Sequence, residues 1–394
     1  MSVGGASAAE GRVPPRRFRL DVPDDVLDDL RARLDRVRWP DEAPGSGWSH
    51  GTELAYLRGL VEHWRTAYDW REQERSFNRL SQYTVPIGGV DLHFVHEPGV
   101  GPDPLPLLLV HGWPGSVWEF HELIPRLTDP AAFGGDPADA CTVVAPSLPG
   151  FCLSFRPGQP RLGIAQTAEV LATLMTGVLG HRRFAAQGGD WGAYVVTRLA
   201  LDHPELLAGI HLNLLAMAGT PDPVAPTPEE ARYLEEVRHW QREERGYFWI
   251  QGTKPQTLAY GLTDSPVGLA AWIVEKFHAW TDRDGHEEPR IARDALLTNV
   301  MLYWVTAAIN SSFWLYFDRL HGGWRISDED RVRVPTGHAA FPREITRPPR
   351  SLAEARYDIH RWTVMERGGH FAALEQPEAL AADILAFLRP LRRG

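Results

Sequence analysis

The chain has 394 residues, which is long enough for a large α/β core that carries an inserted unit. Its 51 acidic and 41 basic residues give a formal net charge of −10, which argues against a nucleic acid as partner and says nothing about a neutral substrate. The two cysteines provide neither a disulfide framework nor a metal motif, and we expect no metal and no cofactor.

Residues 1–17 are predicted to form a disordered or extended N-terminus. They are small, polar and rich in proline, without the apolar core of a signal peptide, and no run of about 18 apolar residues follows elsewhere. We therefore expect a cytoplasmic protein with no membrane anchor. The sequence leaves the oligomeric state open, and a homodimer is one candidate.

Residues 18–80 predict two amphipathic helices separated by a loop. One face of the first helix carries the apolar residues Val26, Leu27, Leu30, Leu34 and Val37. The loop contains Gly47-Trp48-Ser49-His50-Gly51, which matches the Gly-x-Ser-x-Gly pattern of a serine nucleophile. That chemistry requires a strand before the turn, and a proline- and glycine-rich loop stands there instead. We interpret Ser49 as the cap of the following helix.

Residues 81–216 predict the first half of an α/β core, because short apolar runs alternate with helical segments. The expected strands cover residues 82–87, 91–96, 105–110, 142–145, 184–187 and 209–215. The fifth of these strands leads into Gly188-Gly189-Asp190-Trp191-Gly192, a pattern typical of a nucleophile on a sharp strand-to-helix turn. The small residues at both ends of the pattern let the strand and the helix pack closely.

Asp190 is the candidate nucleophile, and it would stand at the N-terminus of a helix that stops before Pro204. The helix dipole and the free N–H groups favour a negative charge there, so the carboxylate needs no base to activate it. The alternative is that Asp190 is only an N-cap, since aspartate is among the preferred capping residues. The motif alone leaves these two interpretations about equal.

A second motif, His111-Gly112-Trp113-Pro114-Gly115, follows the buried strand expected at residues 105–110. In this position a loop can lend a backbone N–H to an oxyanion hole. We expect the backbone N–H groups of Trp113 and Trp191 to form that hole, with His111, Gly112 and Pro114 supporting the loop. A turn that merely needs glycine and proline is the alternative.

Residues 217–322 predict a helical cap, which begins with a proline-rich stretch, and residues 323–394 return to the core. In this last part a strand at residues 332–337 is followed by Glu344, and a strand at 361–365 is followed by His370. The order Asp190, Glu344, His370 is the nucleophile-acid-histidine order of the α/β-hydrolase fold. Nearby acids compete with Glu344 for the middle position, namely Asp328, Glu329 and Asp330.

The chain resembles the epoxide hydrolases of the microsomal and juvenile-hormone type, over about residues 18–388. The motifs that carry the resemblance are His111-Gly112-Trp113-Pro114, Gly189-Asp190-Trp191-Gly192, Phe341-Pro342-Arg343-Glu344 and Arg367-Gly368-Gly369-His370-Phe371. It implies an α/β-hydrolase fold with a mostly parallel central sheet, an inserted helical cap and an N-terminal segment that wraps the core. It also implies a cis bond between Trp113 and Pro114, since bonds to proline tolerate the cis form at low cost.

The resemblance also implies that two cap tyrosines bind the epoxide oxygen. The matching segments, Gly246-Tyr247 and Ser312-Phe313-Trp314-Leu315-Tyr316, assign this role to Tyr247 and Tyr316. The residues alone do not favour this pair over the other cap tyrosines Tyr233, Tyr260 and Tyr303.

The activity implied is hydrolysis of an apolar or aromatic epoxide to a vicinal diol through an ester on Asp190, with His370 as general base and Glu344 orienting it. The partners expected are therefore a small-molecule epoxide and water. Bacterial proteins similar to this chain include enzymes of enediyne antibiotic biosynthesis, so both a biosynthetic and a detoxifying role stay open. The alternatives are a haloalkane dehalogenase with the same nucleophile and a non-catalytic small-molecule receptor of this fold.

Overall fold

The computed structural model describes residues 14–217, 225–286 and 290–393. Its strands are β1 (Arg16–Phe18), β2 (Gln82–Ile87), β3 (Val90–Glu97), β4 (Leu105–Val110), β5 (Cys141–Pro146), β6 (Phe184–Gly188), β7 (Leu207–Leu212), β8 (Val332–Ala340) and β9 (Tyr357–Val364). They form one sheet in the order β1-β2-β3-β5-β4-β6-β7-β8-β9. The pairs among β1, β2, β3 and β5 are antiparallel, whereas β4 to β9 all run parallel.

The helices cover both faces of this sheet and form the cap. They are α1 (Asp24–Leu34), α2 (Leu54–Thr66), α3 (Trp70–Phe77), α4 (Leu123–Thr128), α5 (Ile164–Thr173), α6 (Asp190–Asp202), α7 (Pro228–Glu243), α8 (Gly246–Thr253), α9 (Pro255–Asp264), α10 (Pro266–Trp280), α11 (Arg293–Thr306), α12 (Ile309–Ser312), α13 (Trp314–Leu320), α14 (Arg350–Glu354), α15 (Ala372–Glu375) and α16 (Pro377–Leu388). The mostly parallel α/β-hydrolase fold expected from the sequence is confirmed.

The central strands are buried on both faces, which explains their continuous apolar sequences. Leu107, Leu108, Leu109 and Val110 are all fully inaccessible, without the alternation of a half-exposed strand. Because β4, β6, β8 and β9 run parallel, their carboxyl ends meet at one edge of the sheet. Ligands of open α/β sheets bind at that edge.

The N-terminal segment differs from the prediction in three details. It contains three helices, α1 to α3, and α1 buries Leu27, Leu30 and Leu34 but ends before Val37. Ser49 does not cap α2: it lies in a short 3-10 helix, its Oγ donates to the carbonyl of Ser46, and Glu53 precedes α2 without a side-chain cap. A serine hydroxyl satisfies a nearby carbonyl as readily as an N–H group, and the sequence does not distinguish the two.

Several predicted element ends shift because periodicity does not fix them. Arg16 to Phe18, at the edge of the predicted N-terminus, pair with β2, and residues 1–13 lie outside the described residues. β7 begins at Leu207 and ends at Leu212, so the chain has already left the sheet at Asn213. β8 and β9 are longer than predicted, with register shifts between them.

Helices α7 to α13 form the cap between β7 and β8. Its expected start at residue 217 borders residues 218–224, which lie outside the described residues. In the part of the chain that the structure describes, no helix combines the length and apolar character needed to cross a bilayer.

Candidate active site

Asp190 lies on a sharp turn between β6 and α6. Its φ is +47°, in the left-handed region that residues other than glycine rarely adopt. A Cβ on Gly192 would collide with the carbonyl oxygen of Val110, and one on Gly188 would lie 2.6 Å from the backbone of Gly192. Strand and helix therefore approach at a distance that only glycine permits. The predicted strand-turn-helix is present, with Asp190 as the first residue of α6.

The loop after β4 approaches the Asp190 carboxylate directly. The backbone N–H of Trp113 donates to Oδ1 of Asp190 at 2.7 Å. A Cβ on Gly112 would collide with the same carboxylate, so this position also requires glycine. The peptide bond between Trp113 and Pro114 is cis, as predicted. The N–H of Trp191 belongs to the first turn of α6, where backbone N–H groups have no partner within the helix.

His111 fastens this loop to the core. Its Nε2 accepts a hydrogen bond from the N–H of Leu148 at 3.0 Å, and its Nδ1 lies 3.0 Å from the carbonyl oxygen of Gly112. Burial lowers the pKa of His111 to about 4. The imidazole is therefore neutral at pH 7, with the proton on Nδ1, and it holds the loop without adding charge next to Asp190.

The loops after β8 and β9 bring Glu344 and His370 together. A bridge between Arg343 and Gly369 aligns the two loops. His370 Nδ1 lies 2.5 Å from Oε1 of Glu344, and Nε2 lies 3.4 Å from Oδ2 of Asp190. Burial lowers the pKa of His370, but the carboxylates of Glu344 and Asp190 outweigh this effect and hold the pKa well above its usual value.

The three acids that competed with Glu344 in the sequence lie elsewhere. Asp328 and Glu329 are exposed, and Asp328 pairs with Arg356. Asp330 accepts a hydrogen bond from the N–H of Ser327. Glu344 is the acid that contacts His370, and its side chain is almost fully buried.

The cap holds the loop after β4 through contacts that the sequence did not predict. Asn299 on α11 donates from Nδ2 to the carbonyl of Pro114 at 2.7 Å and accepts from Oγ of Ser116 at 2.8 Å. The hydroxyl of Tyr303 donates to the carbonyl of Gly115 at 2.7 Å. The sequence around Asn299 does not indicate what its side chain would bind.

Tyr247 on α8 and Tyr316 on α13 pack over the two tryptophans that flank Asp190. The ring of Tyr247 stacks on Trp113 with centroids 5.4 Å apart, and Tyr316 lies edge-on to Trp191 at 4.7 Å. The two tyrosine rings are 5.7 Å apart. Burial raises the pKa of both phenols well above its usual value, so both keep their protons and remain hydrogen-bond donors.

The other cap tyrosines do not offer a free phenol next to Asp190. Tyr303 already uses its hydroxyl on Gly115, and Tyr260 is 71% exposed. Tyr233 packs in a separate cluster with Leu234 and Val237. The hydroxyl of Tyr316, by contrast, is buried and makes no hydrogen bond of standard geometry with the described residues.

Two cavities differ in their relation to this site. A cavity of about 870 Å³ lies between the N-terminal segment and α10, and none of Asp190, Glu344 and His370 lines it. A much smaller one, about 20 Å³, is lined by Asp190, His370, Glu119 and Gln187. Glu119 and Gln187 were not predicted. Within the described ranges, no group of three or more metal-ligating side chains is close enough to hold an ion.

Fold and site together define an α/β hydrolase whose elbow carries a carboxylate. Residues 15–120 match the family model described as epoxide hydrolase N terminus, and residues 106–245 match that of the alpha/beta hydrolase fold. A Stigmatella aurantiaca protein, named as a candidate epoxide hydrolase, is 45% identical over 95% of this chain and 85% of its own length. Epoxide hydrolase 1 of Oryctolagus cuniculus is 38% identical over 96% of this chain and 89% of its own.

The juvenile hormone epoxide hydrolase of the silkworm Bombyx mori has a similar solved structure. The two sequences are 31% identical. The match covers 96% of this chain and 95% of the silkworm chain, with a TM-score of 0.84. The chain belongs to the epoxide hydrolase family, as the sequence motifs had predicted. It is therefore a hydrolase built on the α/β-hydrolase fold.

Proposed function

We propose that this protein hydrolyses an epoxide to a vicinal diol through an ester on Asp190. The observation that carries the proposal is the 3.4 Å approach of His370 Nε2 to Oδ2 of Asp190. The buried side chains of Tyr247 and Tyr316 pack on Trp113 and Trp191 beside it. A carboxylate nucleophile, an oriented base and two proton donors are the groups that this two-step reaction needs. The aromatic side chains around Asp190 favour an apolar or aromatic substrate. The cytoplasmic location and the enediyne role stay predictions.

In the first step an Asp190 oxygen attacks an epoxide carbon, and the bond from that carbon to the ring oxygen breaks. The ring oxygen takes a proton from one of the two phenols. The resting protein holds an imidazolium beside a carboxylate, since the pKa of His370 is raised. When Asp190 becomes a neutral ester, it no longer favours the imidazolium. His370 then releases its proton, which restores the phenol.

In the second step neutral His370 takes a proton from water, and the water oxygen bonds to Cγ of Asp190. A negative charge then develops on the carbonyl oxygen of the ester. The N–H of Trp113 stabilises it, and the N–H of Trp191 is the expected second donor. The ester bond then breaks, the leaving oxygen takes the remaining proton of the added water, and the diol leaves. The carboxylate and the imidazolium are regenerated, so protons balance over the cycle.

The test is a single turnover of styrene oxide in heavy-oxygen water with excess enzyme. An ester intermediate places an enzyme oxygen in the first diol and solvent label in Asp190, which mass spectrometry of the Asp190 peptide detects. Solvent label in the first diol would reject the ester. Asp190→Ala should abolish turnover. If the protein were instead a non-catalytic small-molecule receptor, this variant would keep its function.

A haloalkane dehalogenase is the second candidate, because the buried indole N–H groups of Trp113 and Trp191 make no standard hydrogen bond with described residues and can bind a halide. A departing halide needs no proton, however, so the buried phenols favour the epoxide. Halide release from 1-chlorobutane without diol formation from styrene oxide would reverse this ranking.

A further inference from the structure

A cavity of about 20 Å³, lined by Asp190 and His370, is large enough for a water molecule, which needs at least about 10 to 15 Å³. Neither Tyr247 nor Tyr316 lines it, so it is separate from the phenols of the cap. A buried water also needs two to four polar partners, and the side chains around this cavity supply them.

Gln187 is the first unexplained partner. It lies on β6, three residues before Asp190, and is 1% exposed. Its Nε2 donates to Oδ1 of Asn213 at 2.8 Å, but its Oε1 has no hydrogen-bond partner among the described residues. A buried acceptor without a partner is costly, so a group that donates to Gln187 is expected in the cavity.

Glu119 is the second polar side chain that lines the cavity. It lies in a short 3-10 helix at Val117–Phe120, where the hydroxyl of Ser116 accepts from the N–H of Trp118 and the Glu119 carboxyl lies at the N–H of Ser116. This reciprocal arrangement resembles a capping box, which is a purely structural role. The N–H of Ser116 uses only one of the hydrogen-bonding positions of the Glu119 carboxyl group. The same carboxyl group also lines the cavity.

The surroundings of Glu119 suit an uncharged carboxyl group. Burial raises its pKa to about 8, with a smaller lowering contribution from His370 and a raising one from Asp190. The group is therefore mostly a neutral acid at pH 7. It can donate to a water oxygen through its O–H, which a carboxylate cannot do.

We propose that Glu119 and Gln187 hold the water that His370 activates against the Asp190 ester. The water donates one hydrogen to Gln187 Oε1 and the other to His370 Nε2, accepts from Glu119, and directs its remaining lone pair at Cγ of Asp190. Both residues act through the water and are positioning residues. The proposal rests on the ester mechanism above, because a water directed at Cγ of Asp190 has a substrate there only when the ester has formed.

The test separates the two chemical steps in Glu119→Met and Gln187→Met, which keep the approximate shape but remove the polar atoms. Single turnovers of styrene oxide, followed by tryptophan fluorescence, give the rate constants of ester formation and ester hydrolysis. We expect hydrolysis to slow by about 10- to 100-fold in each variant, because a misplaced nucleophile loses roughly that much. Ester formation should change by less than about threefold, and the ester should accumulate.

Two controls address the capping role. Glu119→Gln keeps a donor and an acceptor and should restore hydrolysis to within about threefold of the wild type. Ser116→Ala removes the other half of the capping arrangement without removing a cavity-lining group. Ser116→Ala also removes the hydrogen bond to Asn299 that supports the loop of Trp113, so Asn299→Ala is its matched comparison. If Ser116→Ala slows ester hydrolysis as selectively as Glu119→Met does while Asn299→Ala does not, Glu119 acts only as a cap and the proposal is overturned.

The outcomes also separate this proposal from the ester mechanism. If the wild type forms no ester, the mechanism itself fails. If it forms an ester and both methionine variants slow the two steps equally, or neither step, only the water site fails. A high-resolution crystal structure should contain a water within hydrogen-bond distance of Glu119 and Gln187, and a dry cavity there would overturn the proposal.

Discussion

Nδ1 of His370 lies 2.5 Å from Oε1 of Glu344, although the two residues are 26 positions apart in the chain. The same Glu344 oxygen accepts the N–H of Ile345 at 2.7 Å, which fixes the direction of the carboxylate. The contact holds the imidazole with Nε2 towards Asp190. Glu344 thereby determines both the orientation and the protonation of the candidate base.

Glu344→Gln should therefore impair ester hydrolysis more than ester formation. The amide removes the negative charge that stabilises the imidazolium, and we expect hydrolysis to fall by about 10² to 10⁴. Intact-protein mass spectrometry after mixing with styrene oxide should detect the accumulated ester. Equal slowing of the two steps would contradict this role of Glu344.

The pH dependence of stability should reflect the raised pKa of His370. A group whose pKa rises on folding stabilises the protein fully below its unfolded pKa, about 6.5 for histidine, and this stabilisation is lost as the pH rises through the folded value. The difference in free energy of unfolding between wild type and Glu344→Gln should therefore shrink as the pH is raised above about 6.5. Urea unfolding at a series of alkaline pH values measures it, and a constant difference would count against the ion pair.

Tyr247→Phe and Tyr316→Phe should each slow ester formation. Each change removes one donor to the ring oxygen, and together the donors are expected to contribute about 10² to 10⁴ in rate. The matched control is Tyr260→Phe, which alters an exposed phenol of the same cap and should leave the rate unchanged. Stopped-flow kinetics measure the rate of ester formation in each variant. If the double variant Tyr247→Phe/Tyr316→Phe forms the ester at the wild-type rate, the phenols have no part in the mechanism.

Asn299→Ala should loosen the loop that carries Trp113. It removes the hydrogen bonds to the carbonyl of Pro114 and from Ser116, and leaving buried groups unpaired should lower the free energy of unfolding by about 1 to 3 kcal/mol. Asn310→Ala, which removes an exposed hydrogen bond to Gln256, serves as control and should have a small effect. Thermal unfolding of both variants tests the difference, and equal shifts would contradict an anchoring role.

Local chemistry made the elbow and the triad candidates predictable. Gly188 and Gly192 are required where a strand and a helix cross so closely, and that requirement is visible in the residues themselves. The order of Asp190, Glu344 and His370 followed from the order of the strands.

The acid of the triad was harder to choose from the sequence, because Asp328, Glu329 and Asp330 all precede β8 while Glu344 follows it. The structure separates them by position. Asp328 pairs with Arg356, Asp330 accepts from Ser327, and of these four acids Glu344, in the loop after β8, is the one that contacts His370. A local pattern records which acids are present but not which loop approaches the imidazole.

The sequence by itself determined the fold class, the carboxylate at the elbow and the glycines around it, because these depend on short-range sterics and on the burial of apolar strands. The residues alone left open which acid contacts His370 and which tyrosines belong to the site, and only the resemblance pointed to Glu344, Tyr247 and Tyr316. Only the tertiary structure decided that Asn299, Glu119 and Gln187 line or support the site. Asn299 and its partner Pro114, for example, are 185 positions apart. Such contacts are selected by side-chain packing where the parallel strands end, which no local pattern encodes.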